Sequence, residues 1–318
     1  MKVLITGGAG RLGVTIAKHF INDGFTVRVL DLDNPRNRKA ISGIENDVDI
    51  FWGDITDADS VKGALEGIDT VVHMAAILPP IADQKPELAR RVNVEGTRLL
   101  VSQLARIGRR IPLIYTSSVA VHGPTPEAAN PICAEKHLCK PMGGYAQTKY
   151  EAENIIRESG LDHVILRLSV NMYFNFELGD LRRMFSVPLK NRIEFCHPDN
   201  TATAIVNAVT RFEEVKNNTF IISGGPGERM LYRDMIGAIL KVLGLPVPPD
   251  YKFTSKPYYL DWYDTSRSEA MLKYHIKTFT HYIQDYTHEL TRRFTPLFIP
   301  FMRYFVSPLF GWMVVRMI

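Results

Sequence analysis

KVLITGGAGRLG, Lys2 to Gly13, sets the reading of the whole chain. A short apolar run (KVLIT) enters a glycine-rich turn, TGGAGRLG, and RLGVTIAKHFINDG then continues at helical spacing. Strand, glycines and helix in immediate succession make a site for a diphosphate. Glycine lets the turn close tightly and lets backbone approach the pyrophosphate, whose charge sits on the free amides at the positive end of the helix. A glycine pattern alone is weak evidence, but at the first strand-to-helix turn of an alternating chain it is strong. The candidate contacts are Gly7, Gly10, Arg11, Leu12 and Gly13.

The alternation continues outward from this loop. TVRVLDL, VDIFWG, TVVHMAA, IPLIYTSS and HVILRLS read as strands; DADSVKGALEG, PELARRVNVEGTRLLVSQLARIG and YAQTKYEAENIIRESG read as helices between them. Near-continuous apolar strands separated by helices predict a doubly wound parallel α/β sheet buried on both faces. Asp31 closes the second strand, 21 residues after Gly10. A carboxylate there accepts hydrogen bonds from ribose hydroxyls and repels a 2′-phosphate, which argues for NAD over NADP. Arg11, Arg36, Arg38 and Lys39 are the cations that would argue the other way.

The expected organisation is a dinucleotide-binding and catalytic domain over residues 1–169, a smaller substrate-binding region over 170–293, and an apolar basic tail over 294–318. In the second region the rhythm loosens to a helical DLRRMFSVPLKN, a short IEFCH, a helical ATAIVNAVTRFEEV, the strand FIISG and a helical YRDMIGAILKVLG. A proline-rich connection, LPVPPDYKFTSKP, precedes two further helices.

At 318 residues with 46% apolar and 23% charged residues, the composition is that of an ordinary globular protein. Three cysteines are too few for a disulfide framework and fit a reducing compartment. The opening MKVLITGG holds too short an apolar run for a signal peptide, so a cytoplasmic protein is expected. The net charge of +4 is carried by the end of the chain: after Glu289 come Arg292, Arg293, Arg303 and Arg316 and no acidic residue. No basic stripe with interleaved aromatics marks the body, which excludes nucleic acid as the expected partner. The tail, FTPLFIPFMRYFVSPLFGWMVVRMI, is interrupted by Arg303, Pro308 and Arg316 and is not a clean membrane span. Its aromatics beside arginines suit a segment lying in the headgroup layer at the cytoplasmic face of an anionic membrane. The alternatives are packing on the body or a dimer contact, and a homodimer is expected.

Six motifs in order carry a resemblance: TGGAGRLG, GDITD, HMAA, NVEGT, TSSVAVHG and YAQTK. The chain resembles the extended short-chain dehydrogenase/reductases, the NAD-dependent epimerase/dehydratase family, through its first 170 or so residues. The resemblance implies a Rossmann fold. It further implies that Asp54 and Ile55 hold the adenine, that backbone near Ala75 lines the cofactor, and that Asn93 supports the site. It makes Ser118 the catalytic serine, with Ser117 beside it at the nicotinamide end, and Tyr145 and Lys149 the catalytic pair.

The chemistry of that pair is separately legible. Removing a hydride from a secondary alcohol requires a group that takes the hydroxyl proton, and a phenol with its usual pKa near 10 is too weak a base in neutral solution. An ammonium one helical turn away, at about 4 Å and an effective dielectric of about 20, favours phenolate by roughly 4 kcal/mol. On that argument Tyr145 is expected to titrate near neutrality, with Lys149 also holding the nicotinamide ribose and Ser118 orienting the substrate oxygen.

Two departures narrow the substrate. Val119 and Ala120 follow Ser118 where the 4,6-dehydratases carry an acid pair, which disfavours dehydration. In NRIEFCHPDN, Ile193 stands four before His197 where sugar-nucleotide epimerases place a diphosphate-binding arginine, and Arg192 is one residue off. Cys133, Glu135, His137 and Cys139 fit no common zinc spacing, and no metal is expected. His73 and His122 read as local structure. The leading expectation is an epimerase or dehydrogenase for a small sugar-nucleotide-like molecule. The alternatives are a membrane-surface dehydrogenase of a hydroxysteroid-like or isoprenoid-like alcohol, and a non-catalytic dinucleotide-binding regulator, against which the intact Ser118, Tyr145 and Lys149 argue.

Overall fold

Alternate residues of strand β1 (Lys2–Thr6) feed two different cores. Val3 and Ile5 enter one apolar cluster and Leu4 the other, as the period-two geometry of a strand requires. Every apolar position is therefore buried, which is why this strand reads as a continuous run. The computed structural model describes residues 1–125, 130–134, 136–173 and 184–293.

β1 lies inside a seven-stranded, all-parallel sheet with β2 (Thr26–Asp31), β3 (Val48–Trp52), β4 (Thr70–His73), β5 (Leu113–Ser118), β6 (His163–Leu168) and a later strand, β8 (Asn218–Ile222). Their order is β3-β2-β1-β4-β5-β6-β8, the doubly wound arrangement expected, with the topological switch between β1 and β4. One face is covered by α1 (Arg11–Asn22) and α2 (Pro35–Ile41). The other carries α3 (Ala58–Ala64), the short α4 (Ile81–Gln84) and α5 (Pro86–Arg90), then α6 (Gly96–Arg106) and α7 (Gly144–Glu158).

The single helix read from PELARRVNVEGTRLLVSQLARIG is interrupted. Between α5 and α6 the turn Arg91–Glu95 is a π-helix, whose extra residue per turn re-aims a side chain and which recurs at functional sites. Here it carries Asn93.

The expected boundary at residue 169 separates the regions in sequence but not in space. α8 (Pro198–Thr210) packs against α1, α9 (Phe212–Val215) follows it, and β8 completes the sheet beside β6. α8 starts at Pro198, ahead of the expected ATAIV, because proline suits the first helical position and the His197 ring accepts from the Asp199 amide.

The rest forms a lobe. β7 (Arg192–Glu194) pairs antiparallel with β9 (Arg229–Leu231), and α10 (Tyr232–Val242) and α12 (Phe279–Arg293) enclose a core with Phe195, Met235, Ile239, Tyr282 and Tyr286. α11 (Ser266–Leu272) returns to β8 and α8. The first four residues of the expected helical DLRRMFSVPLKN, 180–183, and the whole tail from 294 fall outside the described residues; over 185–191 the chain runs in turns around Pro188 rather than as the expected helix. Among the described residues no helix is long and apolar enough to cross a membrane.

Candidate active site

The cofactor-side residues converge on the C-terminal edge of the sheet. Gly7 has a φ of +72°, and a Cβ there would stand 2.9 Å from the backbone of Ala75, so glycine is required both by conformation and by space. A Cβ on Gly13 would lie 2.6 Å from Gly8; its absence lets α1 press against the loop. Gly10 is exposed at the N-terminus of α1, which has no side-chain cap and no acidic residue in its first turn. Arg11 and Leu12 open that helix. Uncapped amides at a positive helix end fit a pyrophosphate.

Asp31 closes β2, accepting from the Ala9 amide at 2.9 Å, from the Leu32 amide and from Asn37. It thus braces the glycine loop. Burial raises its carboxyl above the usual range, against these hydrogen bonds. Arg38 forms a two-point bridge with Asp33 and lies over Trp52, so this cation of the loop is already engaged. Asp54 receives the Thr56 amide after β3, and the buried Ile55 packs against Gly96.

A relay of hydroxyls runs beneath Ala75. The Met74 and Ala75 amides donate to Thr6 Oγ1, which lies 2.7 Å from His73 Nδ1; His73 Nε2 is 2.9 Å from Thr97 Oγ1, and Thr97 donates to the Asn93 carbonyl. Since the Thr97 proton is used on Asn93, the histidine must donate from Nε2 and accept at Nδ1. His73 is therefore a neutral structural link, and burial, with Lys149 nearby, lowers its pKa to about 3. Asn93 extends the chain: its side chain accepts from the Ile77 amide and donates to the Ile77 carbonyl and to Thr148 Oγ1 at 3.0 Å. Thr148 in turn donates to the Tyr145 carbonyl. The π turn is thereby tied to the helix that carries Tyr145 and Lys149.

Ser118 ends β5, where its hydroxyl caps the following turn through the Ala120 amide and hydrogen-bonds Tyr145. Tyr145, half-buried, and Lys149, buried, are one turn apart on α7. The Lys149 ammonium stands over the Tyr115 ring at 4.3 Å, a cation–π contact. Near-neutral titration of the phenol is not what this environment produces. Burial raises Tyr145 to about 12, against its bond from Ser118 and with Tyr258 adding to the rise, while burial lowers Lys149 to about 7, against the pull of Glu153. The same desolvation that disfavours phenolate disfavours ammonium, an effect the spacing argument left out.

Ser117 does not face the cofactor. Its hydroxyl donates at 2.5 Å to Glu153, a carboxylate sealed from solvent on α7 and held also by Arg157 and Arg167. Neighbouring strand residues point to opposite faces, so with Ser118 on the site side Ser117 turns inward. Glu153 itself escaped the sequence reading, although its spacing, four beyond Lys149, places it on the same helical face.

On the substrate side, Ile193 is buried and Arg192 forms a 2.5 Å pair with Asp261 while covering the Trp262 ring. The arginine that a register shift was to bring onto a diphosphate is neutralised within the lobe. Tyr258 and Tyr259, which nothing in the local sequence pattern marks, lie in the electrostatic neighbourhood of Tyr145.

Comparison with known proteins places this geometry. The model of the 3-beta hydroxysteroid dehydrogenase/isomerase family matches residues 4–166, from β1 through β6. A 3 beta-hydroxysteroid dehydrogenase/Delta 5→4-isomerase of Mycobacterium tuberculosis is 28% identical over 202 residues, covering 61% of this chain and 53% of that protein. The decarboxylating sterol-4-alpha-carboxylate 3-dehydrogenase of Mus musculus is 30% identical over 162 residues, covering 50% and 41%. The chain spans about half the length of the curated relatives it matches. Among solved structures, UDP-glucuronic acid 4-epimerase of Bacillus cereus, crystallised with UDP-glucuronic acid and NAD, superposes with a TM-score of 0.77 at 21% identity, over 91% of this chain and 100% of that one. At that identity the likeness is one of fold. With the matching stretch holding the glycine loop, Ser118, Tyr145 and Lys149, the chain belongs to the 3-beta hydroxysteroid dehydrogenase/isomerase family, within the extended short-chain dehydrogenase/reductases.

Proposed function

We propose that the protein oxidises the secondary alcohol of a flat, apolar molecule of the hydroxysteroid kind, using NAD. The observation that carries the reading is Tyr145 bonded to Ser118 between the C-terminal sheet edge and an aromatic lobe, with Lys149 one turn behind. The sugar-nucleotide substrate placed first on sequence grounds gives way for two reasons. The two relatives described above are named for steroid and sterol substrates, and Arg192 is tied to Asp261.

NAD, when bound, supplies the hydride acceptor and a positive ring charge. The chain does the remainder. The glycine loop and the N-terminal end of α1, which has no side-chain cap, would hold the diphosphate, and Asp31 would take the ribose hydroxyls. Ser118 orients the substrate oxygen, and Tyr145 accepts its proton. An added positive charge beside a phenol held at about 12 lowers its pKa toward the working range, and Lys149, kept ammonium in part by Glu153, acts in the same direction.

The purified protein is incubated with NAD and a 3β-hydroxysteroid, and in parallel with UDP-glucose and UDP-glucuronic acid. NADH absorbance is expected to grow with the steroid alone, and Tyr145→Phe to cut turnover by about 10³-fold or more while NAD affinity changes by less than about threefold. A sugar nucleotide converted to its 4-epimer without net NADH would establish the second reading, which the epimerase-like fold favours. Full turnover by the phenylalanine variant would remove the catalytic assignment. The homodimer and the membrane-surface location belong to the same proposal and are read by sedimentation of the protein alone and with anionic vesicles.

A further inference from the structure

Tyr258 and Tyr259 are consecutive in the chain, yet their rings stack at 4.2 Å with 26° between planes, and the Tyr258 hydroxyl donates to that of Tyr259 at 3.0 Å. Residues adjacent in an extended strand point apart; here the segment bends so that two phenols form one slab. The residues that follow are bound on two sides. Toward the lobe, the Leu260 carbonyl accepts from Asn191, Asp261 pairs with Arg192, and the Tyr263 amide donates to Glu194. Toward the catalytic domain, Thr125 donates to Asp261, and Ile132 is laced to Trp262 and Asp264 by two backbone hydrogen bonds of 2.8 Å. Thr125 and Ile132 belong to the loop that runs from Ser118 to Tyr145. The slab therefore adjoins a strip held between the lobe and the loop that joins Ser118 to Tyr145.

After burial, Tyr258 adds to the rise of Tyr145, and Tyr258 and Tyr145 both add to that of Tyr259, as phenols that share one neighbourhood do. Tyr258 also packs on the apolar core of the lobe, together with Leu260. A stacked pair joined by one hydroxyl hydrogen bond along its edge presents hydrocarbon on its outer face, and aromatic faces bind flat apolar ligands at low entropic cost.

We propose that Tyr258, braced by Tyr259, is the positioning residue on the lobe side of the substrate site, the face against which a flat polycyclic alcohol lies while its hydroxyl meets Tyr145 and Ser118. This rests on the function proposed above and adds the residues that select the substrate.

Steady-state kinetics of Tyr258→Leu and Tyr258→Phe with NAD and a 3β-hydroxysteroid test it. The leucine variant is expected to raise the KM for the steroid about tenfold, with kcat within about threefold and the KM for NAD unchanged; the phenylalanine variant stays within about twofold of wild type. An unchanged steroid KM in the leucine variant overturns the proposal, as does a parallel rise in the KM for NAD with a lowered melting temperature, which would mark a merely structural role. Should the leucine variant not fold, Tyr258→Ser compared with Tyr258→Phe reads the same split. If wild type turns over only a sugar nucleotide, the proposed function fails. A KM for that sugar nucleotide moved by the leucine variant then keeps Tyr258 as a positioning residue, and one that is unmoved discards both.

Discussion

Glu153 and Glu194 are both sealed from solvent, yet they are held by different kinds of partner. Glu194, on β7, accepts from the backbone amides of Gly225 at 2.9 Å and Tyr263 at 3.0 Å, and from Arg229 at 2.9 Å. Glu153, on α7, is held by side chains alone among its described hydrogen bonds: Ser117, Arg157 and Arg167. Arg167 passes the contact on to His122 and to the Cys139 thiol. A carboxylate fastened to amides fixes where the chain runs; Glu194 pins the strip that follows Tyr258. A carboxylate fastened to cations fixes local charge. Burial works to raise the Glu153 carboxyl, but Arg167, Arg157 and Ser117 prevail and hold it below the usual range, and its charge supports the ammonium of Lys149 one turn away.

Acid should strike the catalytic side hardest. Burial holds His73 to a pKa of about 3, and burial with the Arg167 charge does the same for His122, against an ordinary 6.5. The unfolded chain takes up protons near 6.5 and the folded one does not, so stability is whole above that pH and drains away as pH falls toward 3. His73 alone accounts for about 3 kcal/mol by pH 4. Urea midpoints at pH 7 and pH 4 measure this; an unmoved midpoint would refute the buried neutral histidines.

Breaking the lobe's anchor should cost stability before chemistry. Glu194→Gln is expected to destabilise by about 3 kcal/mol, the low end for a broken buried pair because Arg229 is partly exposed, while NAD affinity holds. A stable variant with weakened NAD binding would reverse the roles assigned to the two carboxylates. Glu153→Gln leaves the buried Arg167 without its carboxylate and should destabilise at least as much, and it should act on chemistry as well. With its charge gone, burial lowers Lys149 further, and the alkaline limb of turnover moves down by about one pH unit. A limb that stays in place would sever Glu153 from Lys149.

The smallest effect belongs to the exposed counterpart of these pairs. Arg90 meets Glu151 on the outer side of α7 at 2.6 Å, half exposed; Arg90→Ala should cost under about 1 kcal/mol in thermal melting. A larger loss would mean that contact geometry, rather than burial, ranks the charges of this protein.

The contrast also explains which parts of the site were legible. The glycine loop, Asp31 and the Tyr145–Lys149 pair rest on backbone turns and the helical repeat, which show as fixed spacings along the chain. Ser117 was assigned to the cofactor because it adjoins Ser118, and strand alternation turned it to Glu153. Arg192 looked available for a phosphate until Asp261, 69 residues on, was found beside it. The relay through Thr6, His73 and Thr97 joins three elements whose residues carry no shared pattern.

The sequence by itself determined the sheet, its glycine turn and the placing of Tyr145 and Lys149 one turn apart on a helix, because strand alternation, glycine turns and the four-residue helical repeat are local and periodic. Only the tertiary structure decided the direction in which burial moves Tyr145, Lys149 and His73, the partner of Arg192, and the stacking of Tyr258 on Tyr259. Those depend on how much water burial removes and on which distant charges and rings come within reach, and neither quantity is written in the spacing of residues along a chain.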